Sequence, residues 1–151
     1  MTDPGAVLHL NTVDLANNFI NLGIKLAKSA ARILVVDDEE NARIALTRLL
    51  SKEGFLVDSV ANGFEALNYL RQQTVNIIVT DINMPEMDGI SFLRELNKNF
   101  PKMNVIMITA YGGVESYLEA MNLGAFEYIN KPVKIDELKL ILKKVLRETV
   151  H

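Results

Sequence analysis

The sequence predicts an α/β fold, a doubly wound parallel sheet of five strands with helices on both faces. Short apolar runs rich in β-branched residues recur five times, and an amphipathic helical pattern follows each of them. The runs are mostly apolar throughout rather than alternating, which is typical of parallel strands buried between two layers of helices. With 151 residues, the chain is long enough for one such domain with a substantial core.

The composition excludes several classes of protein. A net charge of −3 argues against nucleic acid as a direct partner. The absence of cysteine excludes disulfides and thiol catalysis, and the two histidines, His9 and His151, lie too near the termini to favour a zinc site or a histidine-based triad. No apolar run approaches the roughly 20 residues of a membrane span. We therefore expect a cytoplasmic protein.

An extra N-terminal helix is predicted over Thr12–Ser29, with Asn11 as its cap and Asp14 three residues later. Its apolar stripe consists of Leu15, Phe19, Leu22 and Leu26. Three interpretations of this stripe stay open: packing on the chain's own domain, pairing with a second copy as a homodimer, and lying on a membrane surface. Lys25 and Lys28 are too few basic residues to favour the last of these.

The first two β-α units follow in order. The strand Ile33–Val36 ends at a run of acids, and its helix ends near Gly54. The apolar residues predicted to face inward on this helix are Ala42, Ala45, Leu46, Leu49 and Leu50. The next strand is Leu56–Val60, and an Asn-Gly turn leads into the second helix. Its inward residues are Ala66, Leu67 and Leu70.

The remaining strands are predicted at Val75–Thr80, Val105–Thr109 and Phe126–Asn130. A helix follows the Val75–Thr80 strand, and its residues predicted to face inward are Ile90, Phe92, Leu93 and Leu96. A helix over Val114–Leu123 precedes the last strand, and a final helix opens at Asp136. The inward residues of the final helix are Leu138, Ile141, Leu142, Val145 and Leu146.

Acidic, hydroxyl and basic side chains mark the strand ends. Asp37 and Asp38 follow the first strand, Asp81 follows the third, Thr109 ends the fourth and Lys131 follows the fifth. The carboxyl ends of parallel strands meet at one edge, where ligands bind in such sheets. Three carboxylates placed there repel one another unless a cation is present, and oxygen ligands suit Mg²⁺. A carboxylate beside Mg²⁺ can act as a nucleophile and form an aspartyl phosphate.

Each of these residues also has an ordinary structural interpretation. The Asp37-Asp38 pair could stabilise a helix N-terminus, and Asp81 could be a turn residue before Pro85. Lys131 could be a solvated loop lysine, and Tyr128 a packed strand aromatic. The functional interpretation depends on the polar residues occupying successive strand ends together.

Four motifs carry a resemblance to a known family: Ile33–Glu39 (ILVVDDE), Val79–Gly89 (VTDINMPEMDG), Val105–Tyr111 (VIMITAY) and Phe126–Pro132 (FEYINKP). With them, the chain after residue 31 resembles a bacterial response-regulator receiver domain, the CheY-like module of two-component signalling. The resemblance implies a flavodoxin-like strand order 2-1-3-4-5. It divides the chain into an N-terminal extension, 1–31, and a receiver domain, 32–151.

The resemblance implies a phosphorylatable signalling switch rather than an enzyme, one that catalyses only its own phosphorylation and dephosphorylation. The phosphoryl group would come from a histidine kinase or a phosphotransfer protein in an Mg²⁺-dependent reaction. The signal would pass by protein–protein interaction to a downstream partner or to an output domain absent from this chain. A stand-alone regulator, a phosphorelay intermediate and a receiver excised from a larger protein all stay open.

The resemblance also assigns roles by position. Asp81 is the expected phosphoacceptor, and the expected Mg²⁺ ligands are Asp37, Asp38, Asp81 and the backbone carbonyl of Asn83. Lys131 would contact the phosphoryl group, and its bond to Pro132 is expected to be cis. Thr109 would bond a phosphoryl oxygen and, with Tyr128, form the switch pair. Val133 departs from the phenylalanine that is common at its position.

Two other functions were weighed. A phosphatase with an aspartate nucleophile, similar to haloacid-dehalogenase-type enzymes, would need a second acid two residues after the nucleophile, where this chain has Asn83. A dinucleotide-binding domain would need a glycine-rich loop after the first strand, where this chain has Asp37–Glu40. Both departures favour a receiver domain over these two functions.

Overall fold

A computed structural model describes residues 11–110 and 112–150 of the chain. Its five strands form one parallel sheet in the order β2-β1-β3-β4-β5, which confirms the predicted fold class and strand order. The first ten residues of the predicted extension, Tyr111 and the terminal His151 lie outside the described residues.

The chain alternates between helix and strand from its first described element onward. The strands are β1 Arg32–Val36, β2 Leu56–Val60, β3 Ile77–Asp81, β4 Asn104–Thr109 and β5 Glu127–Asn130. The helices are α1 Thr12–Ala30, α2 Glu40–Lys52, α3 Gly63–Gln72, α4 Gly89–Asn99, α5 Val114–Asn122 and α6 Ile135–Val150. Within the described ranges, no helix is long and apolar enough to cross a membrane.

The sheet buries a separate apolar cluster on each of its faces. Leu34 and Val36 of β1 belong to one cluster, with residues of α3 and α4, whereas Ile33 and Val35 belong to the other, with residues of α2 and α6. This division follows from the two-residue period of a strand, since alternate side chains point to opposite faces. Both faces are therefore covered, as the uniformly apolar strands predict.

Several details of the predicted elements are wrong, and one of them is the start of the fifth strand, which is Glu127 rather than Phe126. The third strand begins at Ile77 rather than Val75, and Asp81 is its last residue instead of the residue after it. Ala45 and Leu49 of α2 are exposed, although the helical period predicts that they face inward. They line an open cavity between α2 and the sheet, so the helix does not pack tightly along its whole length.

Helix α1 begins where the sequence predicts, and the Asn11 side chain accepts a hydrogen bond of 2.8 Å from the backbone N–H of Asp14. The helix contacts α6 and β2, and Ile24 packs against the cluster that α2 and α6 bury. The predicted stripe is exposed at all four positions, Leu15, Phe19, Leu22 and Leu26. Packing of this stripe on the chain's own domain is therefore contradicted.

Candidate acidic site at the carboxyl edge of the sheet

Three carboxylates meet at the carboxyl edge of the sheet. Asp81 ends the central strand β3 and is only 7% exposed, and Asp37, directly after β1, is similarly buried. Asp38 is exposed at the rim. One carboxylate oxygen from each residue lies within 4.8 Å of the others. The structure thus brings together the three acids that the strand ends predict.

The start of α2 holds Asp37 in place. Its Oδ1 accepts a hydrogen bond of 2.9 Å from the backbone N–H of Glu39, and its backbone carbonyl accepts one of 2.8 Å from the Arg43 guanidinium. Glu39 itself caps the helix, since its carboxylate accepts from the N–H groups of Asn41 and Ala42. The side-chain cap is therefore Glu39, while Asp37 accepts the Glu39 N–H and also belongs to the acidic cluster. Both aspartates are left to face the sheet edge.

Lys131 lies across this acidic cluster. Its ammonium group donates to Asp81 Oδ2 at 2.6 Å and to Asp37 Oδ2 at 3.2 Å, so it bridges the ends of β1 and β3. The backbone N–H of Lys131 donates to the Thr109 carbonyl at 2.7 Å, which anchors the loop after β5 to the end of β4. The Lys131–Pro132 bond is cis, as the resemblance implies. The interpretation of Lys131 as a solvated loop residue is wrong.

The electrostatics of the cluster follow from burial and proximity. Burial raises the pKa of Asp37, and nearby Asp81 adds to the rise, while the Glu39 N–H and Lys131 oppose it. Burial alone would lower the pKa of Lys131, but the hydrogen bonds and charges of Asp81 and Asp37 raise it above its ordinary value. Lys131 is therefore a fixed positive charge. Because the cluster has three carboxylates and one ammonium group, the site keeps an excess of negative charge.

Asn83 connects the acidic cluster to the end of β4. Its backbone N–H donates to Asp81 Oδ1 at 3.0 Å, and its side-chain amide donates to the Thr109 hydroxyl at 3.1 Å. Thr109 is fully buried at the end of its strand. Because the Asn83 side chain is an amide, it cannot donate a proton as an acid would, as the sequence indicates.

Tyr128 lies beside Thr109 with its hydroxyl buried. This hydroxyl has no hydrogen-bond partner in the part of the chain that the structure describes, and its ring meets Tyr117 edge to face with centroids 5.6 Å apart. Burial raises the pKa of the phenol, and the Ser116 side chain opposes part of the rise. The buried hydroxyl fits here because residue 112 is glycine. A Cβ on Gly112 would clash with this oxygen and lie 2.6 Å from the Thr109 methyl group.

Two further features of the loop after β3 were missed by the sequence reasoning. A Cβ on Gly89 would lie 2.5 Å from the Asp81 carbonyl oxygen and 2.7 Å from Ile82 Cα, so α4 can start this close to β3 only with glycine. Glu86 has a φ of 71°, and the Met87 N–H bonds the Pro85 carbonyl at 2.8 Å. Pro85 and Gly89 predict a turn here. They do not predict the close approach of Gly89 to β3 or the positive φ of Glu86.

A cavity of about 280 Å³ opens beside the acids. Asp37, Asp81 and Lys131 line one side of it, and apolar residues of α2 line the other, with Val133 nearby. A ligand could therefore approach the Asp81 carboxylate from this side.

The donor set of the site fits a magnesium ion. The three clustered side chains are all carboxylates, and hard oxygen donors are the ligands that Mg²⁺ prefers. The hydrogen bonds of Asn83 described above use its N–H and its side-chain amide, and its backbone carbonyl stays a predicted ligand.

The comparisons with known proteins agree with this geometry. The family model of the response regulator receiver domain matches residues 33–143. Regulatory protein AtoC of Escherichia coli is 41% identical over 116 residues, which are 77% of this chain and 25% of AtoC. Sporulation initiation phosphotransferase F of Bacillus subtilis is 36% identical over 115 residues, 76% of this chain and 93% of that protein.

Among solved structures, response regulator protein TrrA from Thermotoga maritima, in complex with Mg²⁺-BeF, is 37% identical. Its TM-score is 0.70, and the match covers 76% of this chain and 98% of that one. The chain belongs to the response regulator receiver domain family, the phosphoryl-accepting modules of two-component signalling. It spans about a quarter of AtoC but nearly all of the sporulation phosphotransferase.

Proposed function

We propose that this chain is a phosphorylatable switch that accepts a phosphoryl group on Asp81 from a histidine kinase or a phosphotransfer protein. One observation carries the proposal. The buried Asp81 carboxylate ends the central strand, with the Lys131 ammonium 2.6 Å away and the carboxylates of Asp37 and Asp38 close beside it. A nucleophilic carboxylate with fixed positive charge beside it is what acceptance of a phosphoryl group requires.

The reaction transfers the phosphoryl group from a phosphohistidine nitrogen, or from an acyl phosphate, to a carboxylate oxygen of Asp81. A new O–P bond forms as the bond to the donor breaks, and the donor leaves with the bonding electron pair. The Asn83 N–H holds Asp81 Oδ1, which orients the carboxylate. Lys131 places its charge where negative charge builds up on the transferring oxygens.

Asp37, Asp38, Asp81 and the backbone carbonyl of Asn83 would hold Mg²⁺ in this proposal. When bound, the ion would supply positive charge to the transferring group and offset the repulsion among the three acids. The oxygen donor set supports this assignment, and the Mg²⁺-BeF complex of the Thermotoga protein supports it by analogy.

Thr109 and Tyr128 form the switch pair in this proposal. Phosphorylation would draw the Thr109 hydroxyl from the Asn83 amide to a phosphoryl oxygen. Tyr128 would respond because its hydroxyl and the Thr109 methyl group lie side by side next to Gly112. The change would be read by a downstream protein or an output domain, through a local charge change that biases a two-state element.

We assign 32–151 as the receiver domain and 1–31 as an N-terminal extension, which the family match over 33–143 supports. In this proposal the protein is cytoplasmic, because the kinases that supply receivers transfer the phosphoryl group there. It catalyses only its own phosphorylation and dephosphorylation. No acid lies two residues after Asp81 to serve a phosphatase of small substrates.

Intact-protein mass after incubation with acetyl phosphate tests the proposal. The wild type should gain the mass of one phosphoryl group when Mg²⁺ is present and none when the metal is chelated. Asp81→Asn should gain nothing, because its amide is not a nucleophile.

Asp88→Asn is the matched control, because Asp88 lies in the same loop but caps α4 through the Ser91 N–H. It should still gain one phosphoryl group. Absence of any gain in the wild type, or an equal gain in Asp81→Asn, would overturn the proposal.

A further inference from the structure

Helix α1 carries an apolar stripe that faces solvent. Leu15, Phe19, Leu22 and Leu26 are 43%, 72%, 52% and 60% exposed. Their spacings of four, three and four residues place them next to one another on one face of the helix. Contiguous apolar surface of this kind marks interaction sites on soluble proteins.

Near the carboxyl end of the helix, the chain's own body lies against the opposite face. Ile24 packs against the cluster beneath α6, and it is two residues from both Leu22 and Leu26. Two residues correspond to roughly 160° around a helix of 3.6 residues per turn. The stripe therefore points away from the body, and the helix cannot turn to bury it without losing the Ile24 contact.

The stripe is complementary to itself when a second helix runs in the opposite direction. Because the spacings read four, three, four from either end, an antiparallel copy places Leu15 opposite Leu26 of the partner subunit and Phe19 opposite Leu22 of the partner subunit. Every stripe residue then meets another large apolar residue, as in the packed seams of antiparallel helices.

Charge favours the antiparallel direction over the parallel one. Asp14 lies in the first turn of α1, and Lys25 lies toward its other end. Antiparallel pairing brings Asp14 toward the partner's Lys25 and opposes the two helix dipoles. Parallel pairing would instead set like charges side by side at both ends.

We propose that α1 is a homodimerisation helix that pairs antiparallel with α1 of a second copy, about a two-fold axis near residues 20 and 21. Four large apolar side chains at about half exposure contribute on the order of 400 Å² per protomer. The total of about 800 Å² is below the roughly 1,200 Å² of a stable interface, so the dimer should be weak and should dissociate on dilution. This pairing does not depend on phosphoryl transfer, because α1 contributes no residue to the acidic cluster or to the cavity beside it.

The oligomeric state tests the proposal directly. Light scattering after size exclusion should give twice the chain mass of 16.9 kDa at high micromolar concentration, falling toward that mass on dilution. Phe19→Glu should be monomeric throughout, because it places a carboxylate in the seam. Phe64→Glu is the matched control, since Phe64 is an exposed phenylalanine on α3, and it should stay dimeric.

A wild type that is monomeric at every concentration would overturn the proposal, as would a Phe19→Glu variant that is still a dimer. Asp81→Asn should keep the dimer, so failure of helix pairing and failure of phosphoryl transfer are separate results.

Disulfide cross-linking tests the direction, because the chain has no cysteine of its own. Mixed Leu15→Cys and Leu26→Cys proteins should form the mixed disulfide under mild oxidation, seen by intact mass. Either variant alone should not cross-link, because antiparallel pairing separates identical positions by about 16 Å along the helix axis. Rapid cross-linking of each variant with itself, without the mixed product, would contradict the antiparallel arrangement.

Discussion

At the scale of single residues, Lys131 determines the electrostatic state of the site. Its ammonium lies between two of the three carboxylates predicted to bind metal and hydrogen-bonds both, while Asp38 stays at the exposed rim. A bound cation and Lys131 would therefore compete for the same negative charge, although the proposed phosphoryl transfer uses both. The lysine keeps the acids from repelling one another when no metal is bound.

Lys131→Met should consequently bind Mg²⁺ more tightly, although it removes a residue of the proposed phosphoryl site. Loss of a positive charge this close to the acids should lower the Mg²⁺ Kd by about tenfold or more. Calorimetric titration of the unphosphorylated protein measures this constant. Lys134→Met, at an exposed position three residues later, should leave it unchanged. An unchanged or weaker Kd in Lys131→Met would show that the metal binds elsewhere.

Gly112 controls the position of Tyr128. Gly112→Ala should expel the phenol from its buried position, because a Cβ there clashes with the Tyr128 hydroxyl. Since burial raises the pKa of this phenol, the pKa should fall toward its ordinary value in the variant. NMR titration of ring-labelled tyrosine measures it.

Gly113→Ala is the control for this experiment, because a Cβ on Gly113 would have no neighbouring heavy atom within 4 Å among the residues that the structure describes. The pKa of Tyr128 should stay raised in this variant. A pKa that is equally raised in Gly112→Ala would contradict the assigned role of Gly112.

At the scale of elements, the junction between β3 and α4 positions Asp81, the proposed nucleophile. The Gly89 N–H bonds the Ile82 carbonyl at 2.7 Å, and α4 starts against the backbone of Asp81. The Asp88 side chain caps α4 through the Ser91 N–H at 2.8 Å. The strand end and the helix start are therefore held as one rigid unit, with Asp81 at its edge.

Gly89→Ala should disrupt this unit. The added Cβ would meet backbone atoms that cannot move without displacing Asp81, so the variant should lose about 3 kcal/mol of unfolding free energy. Its phosphorylation by acetyl phosphate should also slow. Denaturant unfolding, together with the intact-mass assay, measures both effects.

Gly63→Ala is the matched control, because its Cβ would meet only the flexible Met87 side chain, with Sδ at 2.8 Å. It should lose about 1 kcal/mol or less. Equal losses in the two variants would show that the close approach at Gly89 is not special.

The sequence predicts elements better than it predicts contacts between them. Uniform apolar strands and helical periods locate five β-α units, because burial on both faces leaves a clear pattern. The exposure of Leu49 was not predictable, since a helical period does not reveal a cavity beneath the helix. The stripe of α1 shows the same limit: periodicity identifies an apolar face but not what covers it.

At the scale of the site, residue types at strand ends predict which groups meet, and the structure brings Asp37, Asp38, Asp81 and Lys131 together. Glu39 as the helix cap and Gly112 beside Tyr128 were not predicted. Both depend on distances in the folded structure. The order of residue types along the chain does not reveal those distances.

At the scale of the whole molecule, the fold separates two activities. The proposed phosphoryl chemistry lies at the carboxyl edge of the sheet, and the proposed dimer helix precedes β1, whose other end leads to Asp37. Ala31, between α1 and β1, is buried, so the helix is joined to the sheet without a flexible linker. One buried residue thus connects α1 to the sheet, and a pair of α1 helices would bring two receiver domains together.

The central claim is that the Asp81 carboxylate itself receives the phosphoryl group. Borohydride reduction of the phosphorylated protein converts an aspartyl phosphate to homoserine, and peptide mass spectrometry then locates the modified residue. We expect homoserine at position 81 and unmodified aspartate at positions 37, 38 and 88. Homoserine at Asp37 or Asp38, with Asp81 unmodified, would contradict the account, because the nucleophile would then be a residue to which we assign metal binding.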